Sequence, residues 1–248
     1  MNINNKNNYI KLFLCVFLSL PTQATAQPRG LVREVMVSAA QQSSTLAVAR
    51  CAQQNPQKLA GVVVALHGRG GHASTADLAQ MFLKFACPRS FAVVAPRAPT
   101  KNHNWPFEKM EGEKQDLFLI ELIKKTIPKE LESKEELKIY LVGVSAGATF
   151  LMGDFYPRHG AQLKGVAAAL CGGSAPTTAK IQGLSTLEKN FPLFIQMSRK
   201  DFLFQQTEQG LKKYAEMGLP LRARLTEEPG HCAFDFADSL ELIEKQVR

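Results

Sequence analysis

The sequence predicts an α/β fold: a mostly parallel central sheet with helices on both faces, folded as one domain. Three observations predict it. From residue 59 onward, short apolar runs of strand length alternate with longer segments at helical spacing, the order that builds strand–helix–strand units. The runs are continuously apolar rather than alternating, as strands covered on both faces must be. The chain has 248 residues, 45% of them hydrophobic, enough for a single core of that size. No internal repeat, linker or low-complexity tract divides it.

Taken in chain order, residues 1–26 stand apart. Lys6 and Lys11 flank the start of LFLCVFLSL (12–20), and Ala24-Thr25-Ala26 then places small residues at a cleavage position. This is the anatomy of a secretory signal peptide, and its apolar run is too short for a stable membrane span. The mature chain is therefore expected to be residues 27–248, secreted or periplasmic, with no stable membrane insertion.

LVREVMVS (31–38) and STLAVARCA (44–52) alternate with period two and read as an edge hairpin. LAGVVVALHG (59–68) and FAVVAPRAP (91–99) read as buried strands, with a helix over 74–87 between them, where Leu78, Met81, Phe82 and Phe85 recur at helical spacing. An amphipathic helix over 113–127 is expected to stop at Pro128. LKIYLVGV (137–144) is a strand followed by a further helical segment; LKGVAAALCGG (163–173) and FPLFIQMS (191–198) are two more strands. The last helix–strand–helix series is expected over 208–218, 221–228 and 233–246.

The formal charge is +8, and loss of the leader removes two lysines and no acids. Acids sit beside bases in EKMEGEKQD and KELESKEELK, so these are solvated faces rather than a basic stripe, and no nucleic-acid partner is expected. Four cysteines remain after the leader: Cys51, Cys87, Cys171 and Cys232. An even number in an exported chain permits two disulfides. If the second and fourth strands are antiparallel neighbours, Cys51 ends beside Cys87, and that bridge is expected. Cys171 and Cys232 form either a second bridge near His231 or a pair of buried thiols. No cysteine or histidine cluster has metal-ligand spacing, so neither metal nor cofactor is expected.

The chemistry concentrates at strand ends, where open sheets of this kind place their sites. Ser145 stands between Gly143 and Gly147, after one strand and before a helix. A sharp strand-to-helix bend crowds the backbone, and glycines on either side relieve the crowding. The bend lifts the hydroxyl above the sheet, next to the positive end of the helix. LHGRGG (66–71) ends an earlier strand. It lacks the Gly-Lys-Ser/Thr ending of a phosphate loop and the last glycine of a dinucleotide fingerprint, so its backbone N–H groups suit an oxyanion. Asp201 follows the strand ending at Ser198, and His231 follows the last strand on a Pro-Gly loop. A hydroxyl, a base and an acid arriving in that order are what nucleophilic acyl transfer requires.

GVSAG (143–147), Asp201 in SRKD, His231 in PGHCAF and the upstream LHGRGG together resemble the α/β-hydrolase superfamily. The resemblance runs from about residue 31 to the end. It is nearest to small secreted esterases of the carboxylesterase, dienelactone hydrolase and polyhydroxybutyrate-depolymerase-like groups. It implies Ser145 as nucleophile, His231 as base and Asp201 as its orienting acid, with the N–H groups of Ala146 and Arg69 as oxyanion hole. HGRGG stands where HGGG is usual, which leaves Arg69 and Gly70 both open as the second donor. Residues 174–190, between two strands, are too few for a large lid, so an open site for a small-molecule or polymeric ester is expected. Trp105 and Phe107 follow another strand end and either line the acyl or alcohol pocket or pack beneath the loop. A peptidase or amidase using the same three groups, and an inactive binding protein on the same scaffold, remain as alternatives.

Overall fold

The computed structural model describes residues 30–247 apart from 53, 56–57, 71–74, 106–108 and 220. The expected leader and Phe107 lie outside the described residues. One eight-stranded sheet forms the centre: β1 (Gly30–Ala39), β2 (Gln42–Cys51), β3 (Gly61–Leu66), β4 (Phe91–Pro96), β5 (Lys138–Val144), β6 (Gly165–Leu170), β7 (Leu193–Ser198) and β8 (Arg222–Thr226). Its spatial order is β1-β2-β4-β3-β5-β6-β7-β8. β1 pairs antiparallel with β2, and β2 with β4; every later pairing is parallel. The hairpin is thus an edge, as its period-two pattern predicts, and β1 keeps Leu31 and Met36 exposed.

The central strands are buried along almost their whole length. Val62, Val63 and Val64 of β3 and Val93 and Val94 of β4 are fully enclosed, which is where β-branched side chains pack best on a pleated surface. β6 is alanine-rich, with Ala167, Ala168 and Ala169 buried. Each fully enclosed Val, Leu or Phe contributes about 1.5–3 kcal/mol relative to exposure.

The helices differ from the sequence reading in three places. The segment expected as one helix over 74–87 is two, α1 (Thr75–Met81) and α2 (Leu83–Ala86), with Phe82 turned inward between them to stack on Phe236 at 6.0 Å. The helix expected to stop at Pro128 does not stop there. α3 (Lys109–Glu121) continues through a π turn, Leu122–Thr126, into α4 (Ile127–Glu130). The π turn shifts the hydrogen-bond ladder by one residue just before the proline, which has no N–H to give. The same device follows Ser145: α5 (Ala146–Phe150), a π turn over Leu151–Phe155, then α6 (Tyr156–His159) with Pro157 in its first turn. A short helix not read from the sequence, α7 (Leu184–Asn190), lies between β6 and β7.

α8 (Phe204–Glu216) buries Thr207, Gly210 and Tyr214, and α9 (Phe236–Val247) buries Ala237, Leu240 and Ile243, each at helical spacing. The Cys51–Cys87 disulfide is present, with Cα atoms 5.7 Å apart, because β2 and β4 are the antiparallel neighbours that the pairing requires. A second disulfide joins Cys171 and Cys232. Among the described residues no helix is long and apolar enough to cross a membrane.

Candidate active site

β3 lies between β4 and β5, so the chain leaves β3 to one side and returns to the other. A crevice forms at the strand carboxyl ends where connections diverge in this way. The register brings those ends level: Leu66 faces Gly143, Val144 faces Leu170, and Ser198 faces Thr226. His67, Ser145, Cys171, Asp201 and His231 all follow these strand ends.

Ser145 sits at φ 52°, ψ −111°, a conformation that a non-glycine residue adopts only under constraint from its surroundings. A Cβ on Gly143 would come within 2.6 Å of the Ala148 backbone, and one on Gly147 would strike the carbonyl of Leu66. The two glycines flanking the serine therefore let the strand, the helix and β3 meet. Two more enclose it. A Cβ on Gly68 would lie 3.3 Å from the Ser145 Cβ, and one on Gly172 would lie 2.5 Å from the Ser145 carbonyl oxygen.

His231 Nε2 lies 2.8 Å from Ser145 Oγ, and His231 Nδ1 lies 2.7 Å from Asp201 Oδ2. The Asp201 side chain is fully buried, and its other oxygen accepts the Leu203 N–H at 2.9 Å. A carboxylate only accepts. Nδ1 must therefore carry the proton, which leaves the Nε2 lone pair facing the serine hydroxyl. Ser198, not singled out from the sequence, joins the two loops: its hydroxyl donates to the Glu228 carbonyl at 2.5 Å and accepts the Lys200 N–H at 3.1 Å.

The Cys171–Cys232 disulfide anchors the residue after His231 to the residue before Gly172. Among the described residues, Cys171, His231 and Cys232 are the one group whose ligand atoms cluster closely enough for a metal. Two of its three members are bonded to each other, so the cluster is a crosslink beside an imidazole.

His67 is buried, and its Nε2 accepts the Ala98 N–H at 3.1 Å. Its Nδ1 therefore donates to the Gly68 carbonyl, 2.8 Å away. Burial holds the imidazole below its usual pKa, opposed by the Gly68 hydrogen bond and aided by Arg97 and His103. In a trans peptide N–H and C=O point opposite ways, so fixing the Gly68 carbonyl also fixes the Arg69 N–H. The Gly70 N–H is bonded to Asn104 Oδ1 at 2.9 Å. Of the two donors left open by the sequence, Gly70 is thus engaged elsewhere. Ala146 is the first residue of α5, where a backbone N–H has no intrahelical acceptor.

Trp105 is fully buried, stacked on Phe150 at 5.0 Å and 5.8 Å from His67. The ring fills the space between the His67 turn and α5. The rim itself is open, with Glu228 to His231 exposed and Phe202 76% exposed. A cavity of about 260 Å³ lined by Ile127, Leu137, Ile139 and Leu163 opens at the other end of β5, away from Ser145.

No family model matches the chain, and no curated protein matches it. Solved structures do. A thermostable esterase is 19% identical with TM-score 0.59, the match covering 88% of this chain and 61% of that one. A protein assigned as a dienelactone hydrolase of Klebsiella pneumoniae is 16% identical with TM-score 0.59, over 85% and 90%. One assigned as a dipeptidyl aminopeptidase IV of Bacteroides ovatus is 15% identical with TM-score 0.61, over 90% and 36%. The fold is the α/β-hydrolase fold that the sequence motifs resemble.

Proposed function

We propose that this chain is an exported serine hydrolase that cleaves carboxylic esters through an acyl-enzyme. The observation that carries the reading is the unbroken hydrogen-bond chain from Ser145 through His231 to buried Asp201, at 2.8 and 2.7 Å. Ser145 Oγ attacks the ester carbonyl as His231 Nε2 takes its proton. Asp201 holds the imidazole in the needed tautomer and stabilises the imidazolium. The Ala146 and Arg69 N–H groups receive the developing oxyanion, where each donor is worth about 10²–10³ in rate. His231 then returns the proton to the departing alcohol, and water repeats the sequence to release the acid.

The open rim suits a small-molecule or polymeric ester. Export is supported by the leader anatomy of residues 1–26 and by two disulfides, which persist in oxidising compartments.

The test is hydrolysis of p-nitrophenyl esters of graded acyl length by wild type and Ser145→Ala. Turnover is expected to fall on the order of 10⁴-fold or more in the variant, with Tm retained. Near-normal turnover would sink the assignment. Matched anilides measured beside the esters separate ester from amide cleavage, and a protein that cleaves only the anilides is a peptidase or amidase on the same groups.

A further inference from the structure

The outer side of the site carries one apolar feature. Phe202 directly follows Asp201, and its ring centroid lies 4.7 Å from that of His231, inclined at 43°. It is 76% exposed, the only aromatic among the exposed large hydrophobics of the described residues. Its neighbours Leu203 and Phe204 pack against the core, and Phe202 does not.

The backbone holds it there. Asp201 N–H donates to the Ser198 carbonyl at 3.2 Å, the Leu203 N–H donates to Asp201 Oδ1, and the Phe204 N–H donates to the Asp201 carbonyl at 3.0 Å. Phe202 is thus the projecting residue of a turn held by three hydrogen bonds of Asp201. A large apolar ring fixed in water gains by being covered, and this one is fixed against the base.

Its position selects which part of a substrate would cover it. The proposed oxyanion donors come from the turn after β3 and from Ala146. His231 must face the departing alcohol, because its Nε2 delivers that group's proton. Phe202 is in ring contact with that same imidazole. We propose that Phe202 is the alcohol-side platform of the site and selects esters whose alcohol carries a planar aromatic ring. This rests on the esterase reading above. Stacking then places the alcohol oxygen near Nε2 during acylation and has no role after the alcohol has left.

The experiment measures kcat/KM for benzyl, cyclohexylmethyl and ethyl acetate with wild type, Phe202→Ala and Phe202→Trp. Benzyl and cyclohexylmethyl alcohols are similar in size and differ in planarity. Wild type is expected to prefer benzyl over both others, and Phe202→Ala to lower the benzyl-to-ethyl ratio by about two- to tenfold, the range an aromatic stack supplies. Phe202→Trp is expected to keep the preference. Added benzyl alcohol should capture the acyl-enzyme better than added ethanol in wild type, and this advantage should vanish in Phe202→Ala. An equal loss on all three esters would mean that Phe202 only steadies His231, and would overturn the platform. Unchanged ratios would overturn it also, with the esterase reading intact. A wild type that hydrolyses none of the three and resists fluorophosphonate labelling overturns both.

Discussion

At the amino ends of the parallel strands, the Cys51–Cys87 disulfide joins two residues in ordinary backbone; Cys87 has φ −59°. Around it, Phe85, Phe91 and Tyr140 pack ring to ring at 5.2–6.3 Å, and Arg89 lies over Phe85 while pairing with Glu244. At the carboxyl ends, the Cys171–Cys232 disulfide joins two residues that are both left-handed, at φ 48° and 58°, next to Ser145 at φ 52°. Such positions cost about 1–3 kcal/mol each and persist only where the surroundings over-determine them. Here the surroundings are Gly68, Gly143, Gly147 and Gly172, the hydrogen bonds of Ser198, and the crosslink itself. The same covalent bond therefore has two uses. One joins a relaxed end of the core; the other joins loops in strained backbone.

The comparison can be tested at its most sensitive point first. Asp201→Asn keeps the shape of the acid but offers His231 an N–H, or the wrong tautomer. Turnover is expected to fall about 10⁴-fold, with a small change in Tm; p-nitrophenyl ester kinetics and thermal unfolding measure the two together. Replacing Cys171 and Cys232 with serine frees the His231 loop. Misplacement of a catalytic group by about 1 Å costs on the order of 10² in rate, so kcat should drop by tens to a hundredfold. A variant of that pair with full activity would remove the distinction between the two ends.

Replacing Cys51 and Cys87 with serine should do the reverse. The expected loss is about 2–4 kcal/mol of stability, roughly 5–15 °C in Tm, with kcat retained. A large loss of kcat in folded protein would show that the amino end also positions the site.

The smallest effect concerns His67. Its folded pKa is lowered, chiefly by burial, so the folded state favours the neutral ring. The associated stability is complete above the unfolded value of about 6.5 and is lost as pH falls from there through the lower folded pKa. Protonation would also turn the Nε2 acceptor of the Ala98 N–H into a donor. His67→Gln can still accept from Ala98 and donate to Gly68, and does not titrate. Denaturant unfolding should show stability falling more steeply from pH 8 to pH 5 in wild type than in the variant. Equal slopes would mean that His67 is not held neutral.

Much of this architecture is legible in the sequence because its signals are local. The alternation from residue 59, the largely apolar runs of β3 to β7 and the period-two hairpin follow from which side chains suit which layer. The G-x-S-x-G spacing predicts a tight bend for steric reasons that hold before any tertiary contact exists. The order Ser145, Asp201, His231 at strand ends was readable for the same reason, as was the Cys51–Cys87 pair once β2 and β4 were taken as antiparallel.

What the sequence left open depends on distant segments. The π turns that carry helices past Pro128 and Pro157 leave no residue pattern, since they are a shift in the ladder made where packing continues the helix. The burial of Trp105 against the His67 turn and Phe150 depends on segments distant in the chain. The Gly70 N–H is engaged only because Asn104 reaches it from the next loop. Cys171 with Cys232, and Phe202 with His231, lie on strand ends whose adjacency follows from sheet order. Side-chain periodicity fixes the faces that an element buries; which elements then become neighbours is decided by the whole core at once, and in this protein the hydrogen-bonded site exists only at that level.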